Sequence, residues 1–422
     1  MKFGFILDML KFFKVIKRSS KSKARLGLIN TAHGQIKTPA FVPVATKGTI
    51  KSLTPSQVNE IGLQTAFVNT YHLVTHPGIT LIEKAGGIHK FSRLNLPLMS
   101  DSGGFQVFSL AKSKRNPQGS TKRADVRGEE KPLLVKISEN SVLFRSVYDG
   151  RLIEFTPEKS IEYQKKIGAD IIMAFDECTD YPATYEYAKK AMERTHKWLK
   201  RCIIKKQTID DRRSKIDIPQ NLTSTINPLS SKNQQALYGV IQGGTYRDLR
   251  RKSAEFVTSQ ALDGIAIGGV SVGESKKEMR EQVRWVSDFL PVDKPVHLLG
   301  VGQIDDIIDL VKYGLDTFDC VEPTRLARMG TIYKISNFNP QARGPISKTE
   351  ELDITKSIFK EKLEPLDINC RCYTCRNFSK AYLHHLFKQK EILAYSLATF
   401  HNLYVMERFF AEIRALIEEN KL

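Results

Sequence analysis

Short apolar runs rich in β-branched residues alternate along most of the chain with stretches whose apolar residues recur at helical spacing. That alternation predicts a parallel sheet in which each strand is followed by a covering helix. Eight such runs stand out: AFVPVA (40–45), TAFVN (65–69), LPLMS (96–100), ADIIMAF (169–175), LYGVI (237–241), GIAIG (264–268), VHLLG (296–300) and LDTFD (315–319). Eight strands with intervening helices imply a closed (β/α)8 barrel, a TIM barrel of the α/β class, whose functional groups sit at the C-terminal strand ends. The residues found there are Asn69, Asp101, Asp176, Gln242, Gly268 with Gly269, Gly300 and Asp319. Asp and Gly also punctuate loops and cap helices, which would explain any one of these positions. Three aspartates and a glutamine at the same end of four of these strands point instead to a rim built for chemistry.

Two stretches interrupt the pattern. Residues 111–155 begin as a basic loop containing Gly and Pro and continue as alternating residues that read as a hairpin, ahead of a helix over 157–168. Residues 205–235 are polar and aperiodic, which predicts a mobile surface insertion. From 377 onward the apolar residues return to helical spacing. No run approaches the ~18 apolar residues of a membrane helix, and Asp8 interrupts the apolar start, so neither a signal peptide nor a membrane partner is expected.

A net charge of +19 makes a phosphate-bearing polymer the expected partner. Six cysteines in 422 residues are too few for a disulfide scaffold, which suits a reducing compartment. Three of them lie within six residues, at Cys370, Cys372 and Cys375, a spacing that suits a metal. With a histidine these would complete a closed tetrahedral zinc site, structural rather than catalytic. His401, at what reads as a helix start, is one candidate, and His384 and His385 compete on distance alone.

At SDSGGFQVFSL (100–110), FDECTDYPA (175–183), GVIQGG (239–244), AIGGVSVGE (266–274), LLGVG (298–302), FDCVEPTR (318–325) and CRCYTCRNFSKAYLHH (370–385) the chain resembles the queuine tRNA-ribosyltransferase family of the bacterial type. The likeness begins near residue 24 and reaches the last helix. It implies a 1–23 extension, a 24–335 catalytic barrel with insertions at about 111–155 and 205–235, and a 336–422 zinc-binding subdomain with the C-terminal helices. It further implies that Asp319 is the nucleophile and Asp101 the general acid/base, and that Asp176, Gln242 and Gly269 read guanine with Cys178 nearby. Phe105 matches an aromatic that stacks on the base, Arg325 and Arg328 match positions that hold the anticodon loop, and His401 matches the fourth ligand of one structural Zn2+. The implied partners are a tRNA with a GUN anticodon, a 7-deazaguanine base and a second copy of the chain in a cytoplasmic homodimer.

Breaking a ribosyl–base bond passes through an oxocarbenium-like state, so the problem is that of a glycosidase. One carboxylate captures the sugar carbon while a second acidic group manages the leaving base, and a covalent ribosyl intermediate keeps water from ending the exchange. A carboxylate at 176 can accept both the N1–H and the exocyclic amine of guanine. The Gln242 amide and the Gly269 N–H can donate to O6, and stranding one such buried group would cost about 1–3 kcal/mol. Three positions depart from the family pattern: Val270 stands where Leu is usual, Leu299 where Met is usual, and Glu322 on an apolar site. Val270 could admit a bulkier base, whereas Cys178 and Val272 match the pattern associated with 7-aminomethyl-7-deazaguanine, so that base is expected over queuine. Two other readings are open: a non-catalytic tRNA-binding partner subunit of the same fold, and a barrel enzyme acting on a small phosphorylated sugar.

Overall fold

A computed structural model describes residues 11–105, 133–146, 148–216, 235–334 and 350–422. Most of the basic loop within 111–155, the second half of the 205–235 stretch, and 335–349 lie outside the described residues.

Three antiparallel strands come first: β1 (Phe13–Arg18), β2 (Arg25–Thr31) and β3 (Gly34–Thr38). The eight predicted runs then all form strands, namely β4 (Ala40–Pro43), β5 (Ala66–Val68), β6 (Leu98–Ser100), β10 (Ile171–Met173), β11 (Ala236–Ile241), β12 (Gly264–Ile267), β13 (Val296–Leu298) and β14 (Thr317–Cys320). They make one eight-stranded sheet in the order β4-β14-β13-β12-β11-β10-β6-β5. A parallel bridge between Val44 and Phe67 joins its first and last members. This is the expected (β/α)8 barrel. Between β6 and β10 lies a second antiparallel trio, β7 (Leu133–Ile137), β8 (Val142–Arg145) and β9 (Leu152–Phe155), where a two-stranded hairpin was expected. The pair β15 (Thr331–Lys334) and β16 (Glu350–Asp353) follows the barrel.

Helices α1 (Pro55–Ile61), α2 (Thr70–Thr75), α3 (Ile79–Lys84), α4 (Ile88–Ser92), α5 (Pro157–Ile167), α6 (Tyr185–Ile216), α7 (Arg247–Thr258), α8 (Lys276–Val286) and α9 (Ile304–Val311) accompany the strands. Then come α10 (Glu322–Arg328), α11 (Tyr373–Asn377), α12 (Lys380–Gln389) and α13 (Ile392–Glu418). Local chemistry sets their ends. Thr54 and Gln57 form a capping box ahead of α1, and Thr156 caps α5, whose first residue is Pro157 and which stops at the left-handed Gly168. α6 runs on through residue 216, so the first third of the 205–235 stretch is helix and not loop. Its polar residues make ion pairs there, Lys205 with Glu162 and Lys206 with Asp210, which polarity alone could not reveal.

The chain divides into two compact units. One holds the described residues of 1–67, 92–97 and 295–422. In it, Asp316 is buried and accepts from Arg25 Nε at 3.0 Å and from the Val296 N–H at 2.8 Å, tying β2 to β13 and β14. Phe410 of α13 packs on Phe41 and Phe318, with ring centroids 6.2 and 5.8 Å away. Residues 13–18, part of the expected extension, are a strand paired with β2. The other unit holds the described residues of 68–91 and 98–294. Its core is an aromatic column, Phe144–Phe155–Phe175–Trp198, with successive centroids 5.3, 6.1 and 4.8 Å apart.

The barrel strands are buried on both faces, as parallel strands under helices must be. Of all residues in those eight strands, Asp319 is the one that is not buried.

Candidate functional site

In the unit of residues 68–91 and 98–294, Asp101 follows β6 directly. Its Oδ1 accepts from the Thr70 N–H at 2.7 Å, and its Oδ2 from the Asn69 side-chain amide. Asn69 is the N-cap of α2, with Oδ1 accepting from the His72 N–H, so the helix start fixes the carboxylate.

Asp176, beyond β10, is buried and accepts from Ser102 Oγ at 3.0 Å and from Gln242 Nε2 at 2.8 Å. Burial pushes its carboxyl up to about 6 against those two hydrogen bonds, so the charged form exists near neutrality at a cost. Gly104 lies so close that a Cβ there would come 2.5 Å from the Asp176 carbonyl oxygen. Gln242 is itself buried, and among the described residues its Oε1 has no hydrogen-bond partner. Gly269 turns through the left-handed region at φ 62°, and a Cβ there would come 2.2 Å from that same Oε1. Only glycine lets the two approach. Cys178 is buried, with its thiol pushed up by burial, and Val270 is buried. Phe105 is exposed.

Sequence reasoning missed what holds this group in place. Arg250 of α7 is fully buried and donates to the carbonyls of Gly244 at 2.7 Å, Gly268 at 2.6 Å and Gly269 at 2.5 Å, and to Gln282 Oε1 at 2.7 Å. Burial lowers its guanidinium to about 10, still charged at neutral pH. One planar fork thereby fixes the turns after β11 and β12 together. The available signal was a cation on the apolar face of an amphipathic helix.

In the unit that contains residues 295–422, Asp319 lies on β14, and Oδ1 accepts from the Gly300 N–H at 3.0 Å. His297, buried in β13, places Nε2 at 3.1 Å from the same oxygen and Nδ1 at 2.9 Å from Thr317 Oγ1. His297 was also missed, although a polar residue inside the run VHLLG was the clue. Leu299 is half-buried. Arg325 and Arg328 are half-buried on α10, where Arg328 Nη1 donates to the Thr324 carbonyl at 2.7 Å. Glu322, unexpected at its position, accepts from Gln303 Nε2 at 2.9 Å.

Cys370, Cys372, Cys375 and His401 form a buried group whose donor atoms all lie within 4.8 Å of one another. The three sulfurs stand 3.7, 3.4 and 3.3 Å from His401 Nδ1. Nε2 of His401 is 2.7 Å from the Tyr333 carbonyl, which fixes Nδ1 as the ligating nitrogen. Hydrogen bonds from Cys370 and Cys375 hold the Cys372 thiol well below its ordinary range. Three soft donors and an imidazole can hold a metal ion, and the set suits Zn2+ in a closed site. His384 instead places Nδ1 2.8 Å from the Ile354 carbonyl. His401 proves to be inside α13 and not at a helix start, which makes that helix the fourth wall of the site.

Among the described residues no helix is long and apolar enough to cross a membrane. The family model described as queuine tRNA-ribosyltransferase matches residues 19–422. A protein of Caldanaerobacter subterraneus subsp. tengcongensis named queuine tRNA-ribosyltransferase is 44% identical, over 97% of this chain and 94% of its own. Like-named proteins of Thermoanaerobacter pseudethanolicus and a Roseiflexus species are 43% and 41% identical, each over 97% of this chain and over 94% and 96% of their own.

Proposed function

The chain belongs to the queuine tRNA-ribosyltransferase family, and from that premise we propose that it exchanges guanine at the wobble position of a GUN anticodon for 7-aminomethyl-7-deazaguanine. The observation that carries this reading is the buried chain Ser102–Asp176–Gln242–Gly269, in which a double acceptor stands beside an amide and a glycine backbone. In that chain Gln242 Nε2 and Asp176 Oδ2 satisfy each other. Guanine would exchange that bond for two donors onto Asp176 and one acceptor for the Gln242 amide. An adenine, with its donor and acceptor reversed, would leave the carboxylate facing a lone pair.

Asp319 then attacks the ribose C1′, and Asp101 supplies a proton to the departing base and takes one from the incoming base. The ribosyl–Asp319 ester holds the tRNA between the two displacements. Arg325 and Arg328 hold anticodon phosphates, Phe105 stacks on a base, and Cys178, Val270 and Leu299 border the 7-substituent. Val270 is the residue that would admit queuine as the alternative base. Cys370, Cys372, Cys375 and His401 hold one structural zinc, supported by their donor chemistry and burial. The enzyme works in the cytoplasm as a homodimer, a reading supported by the exposed Leu363, Ile368 and Ile392 of the C-terminal segment.

The test is turnover by the purified chain alone, on unmodified tRNA, with labelled guanine and with matched concentrations of 7-aminomethyl-7-deazaguanine and queuine. Exchange confined to GUN tRNAs, fastest with the aminomethyl base, is expected. No exchange by the pure chain would instead favour a partner subunit that needs a second protein.

A further inference from the structure

Asp319 is held asymmetrically. Both of its hydrogen bonds, from the Gly300 N–H at 3.0 Å and from His297 Nε2 at 3.1 Å, fall on Oδ1, and among the described residues Oδ2 has no partner. The ring that supplies the second bond is itself anchored. It is fully buried, lies 2.9 Å from Thr317 Oγ1 through Nδ1, and stacks on Phe67 with centroids 5.5 Å apart and planes 20° from parallel. A carboxylate accepts and cannot donate, so Nε2 carries the proton toward Asp319, while Nδ1 faces the Thr317 hydroxyl, which can act as either donor or acceptor. Thr317 and Asp319 are two residues apart on β14, so strand alternation turns both toward the same face.

Resting on the reading of Asp319 as the nucleophile, we infer that His297 is a positioning residue that reserves Oδ2 for attack and steadies the carboxylate whenever it is free. In the first displacement an Oδ2 lone pair forms the bond to C1′ while the C1′–N9 bond breaks. Its electron pair leaves with guanine, which takes a proton from Asp101. In the second, N9 of the incoming base gives its pair to C1′ and its proton to Asp101, and the C1′–Oδ2 pair returns to Asp319. Throughout, Oδ1 is the oxygen that does not react. In the ester it is a carbonyl oxygen and accepts weakly, whereas in the free enzyme it shares a negative charge and accepts strongly. The two donors therefore stabilise free Asp319 over ribosyl-Asp319, the logic of a preorganised oxyanion site applied to a leaving carboxylate. They keep the adduct from becoming a trap.

This gives a signature that general damage to the site would not. His297→Phe keeps the aromatic stack and loses the N–H. At saturating tRNA and guanine, the ratio of covalent adduct to free enzyme, read on a denaturing gel, is expected to rise by about ten-fold or more while exchange turnover falls. His297→Gln restores an N–H donor and is expected to bring both quantities back toward wild type. Disruption of the site would instead lower adduct and turnover together, and that result in a His297→Phe protein of unchanged Tm would overturn the inference, as would an unchanged ratio. Should His297→Phe fail to fold, Thr317→Val, which frees the ring, should move the ratio the same way by a smaller factor, and no movement would also overturn it. Absence of any adduct in the wild-type enzyme would sink the reading of Asp319 itself, whereas an adduct whose ratio ignores position 297 sinks this inference alone.

Discussion

Asp176 is the side chain in which stability and the proposed base recognition conflict most plainly. Burial lifts its carboxyl from 3.8 to about 6, so the folded chain takes up a proton there more readily than the unfolded chain. The cost of holding the charge is fully present above pH 6 and is relieved as pH falls through 6 toward 3.8. The proposed guanine recognition would run the other way, because the protonated acid has lost an acceptor. The KM for guanine is expected to rise as pH falls from 7 to 5, approaching about ten-fold per unit below pH 6. Asp176→Asn should bind guanine weakly with no such pH dependence and should melt at a higher temperature than wild type at pH 7. Steady-state kinetics from pH 5 to 8 beside thermal melts check both, and a KM flat with pH in the wild-type enzyme would remove Asp176 from the base-reading role.

At the scale of elements, short strands and capped turns carry the site, and the C-terminal helices are organised through the cysteine cluster. Cys372 is the N-cap of α11, where its sulfur accepts the Cys375 N–H at 3.4 Å, and His401 Nε2 ties α13 to β15 through the Tyr333 carbonyl. The adjacent Asn402 bonds the Tyr333 N–H and the carbonyls of Pro323 and Thr331, so α10, β15 and α13 share one anchor. Chelation is expected to release about one zinc per chain and to lower the Tm by several degrees. Cys375→Ala should retain little metal and melt at the chelated temperature, with metal content read by atomic absorption. A full metal load in Cys375→Ala would contradict the assignment.

The eight barrel strands were legible in the sequence because strands buried on both faces must be apolar along their whole length. The cysteine cluster was legible because soft donors at close spacing have few other uses. Less was legible where a polar group is satisfied by a partner distant in sequence. Arg250 meets carbonyls 18 and 19 residues onward, and His297 meets Asp319 across a strand pair 22 residues away, so nothing near either residue declares its partner. The helical run over 205–216 was hidden in part for the same reason, since Lys205 is paired with Glu162 on α5. Local polarity reads as loop when the partner is unseen.

The molecule as a whole carries a formal charge of +19, which for an enzyme acting on tRNA is a statement about affinity and rate more than about fold. Binding of unmodified tRNA is expected to weaken linearly in log salt between 50 and 200 mM, with Arg325→Ala and Arg328→Ala each reducing the slope by about 1. Titrations of labelled tRNA at several salt concentrations measure it, and salt-independent binding would reject a phosphate-dominated interface. Affinity alone does not make a transglycosylase, however, and the proposed exchange turns on one covalent bond. The most direct measurement is a denaturing gel of the enzyme incubated with labelled tRNA and guanine, followed by mapping of the modified peptide. A tRNA adduct on Asp319 is expected in the wild-type chain and none with Asp319→Asn, whereas an adduct that survives that substitution, or maps to another residue, would overturn the proposed mechanism.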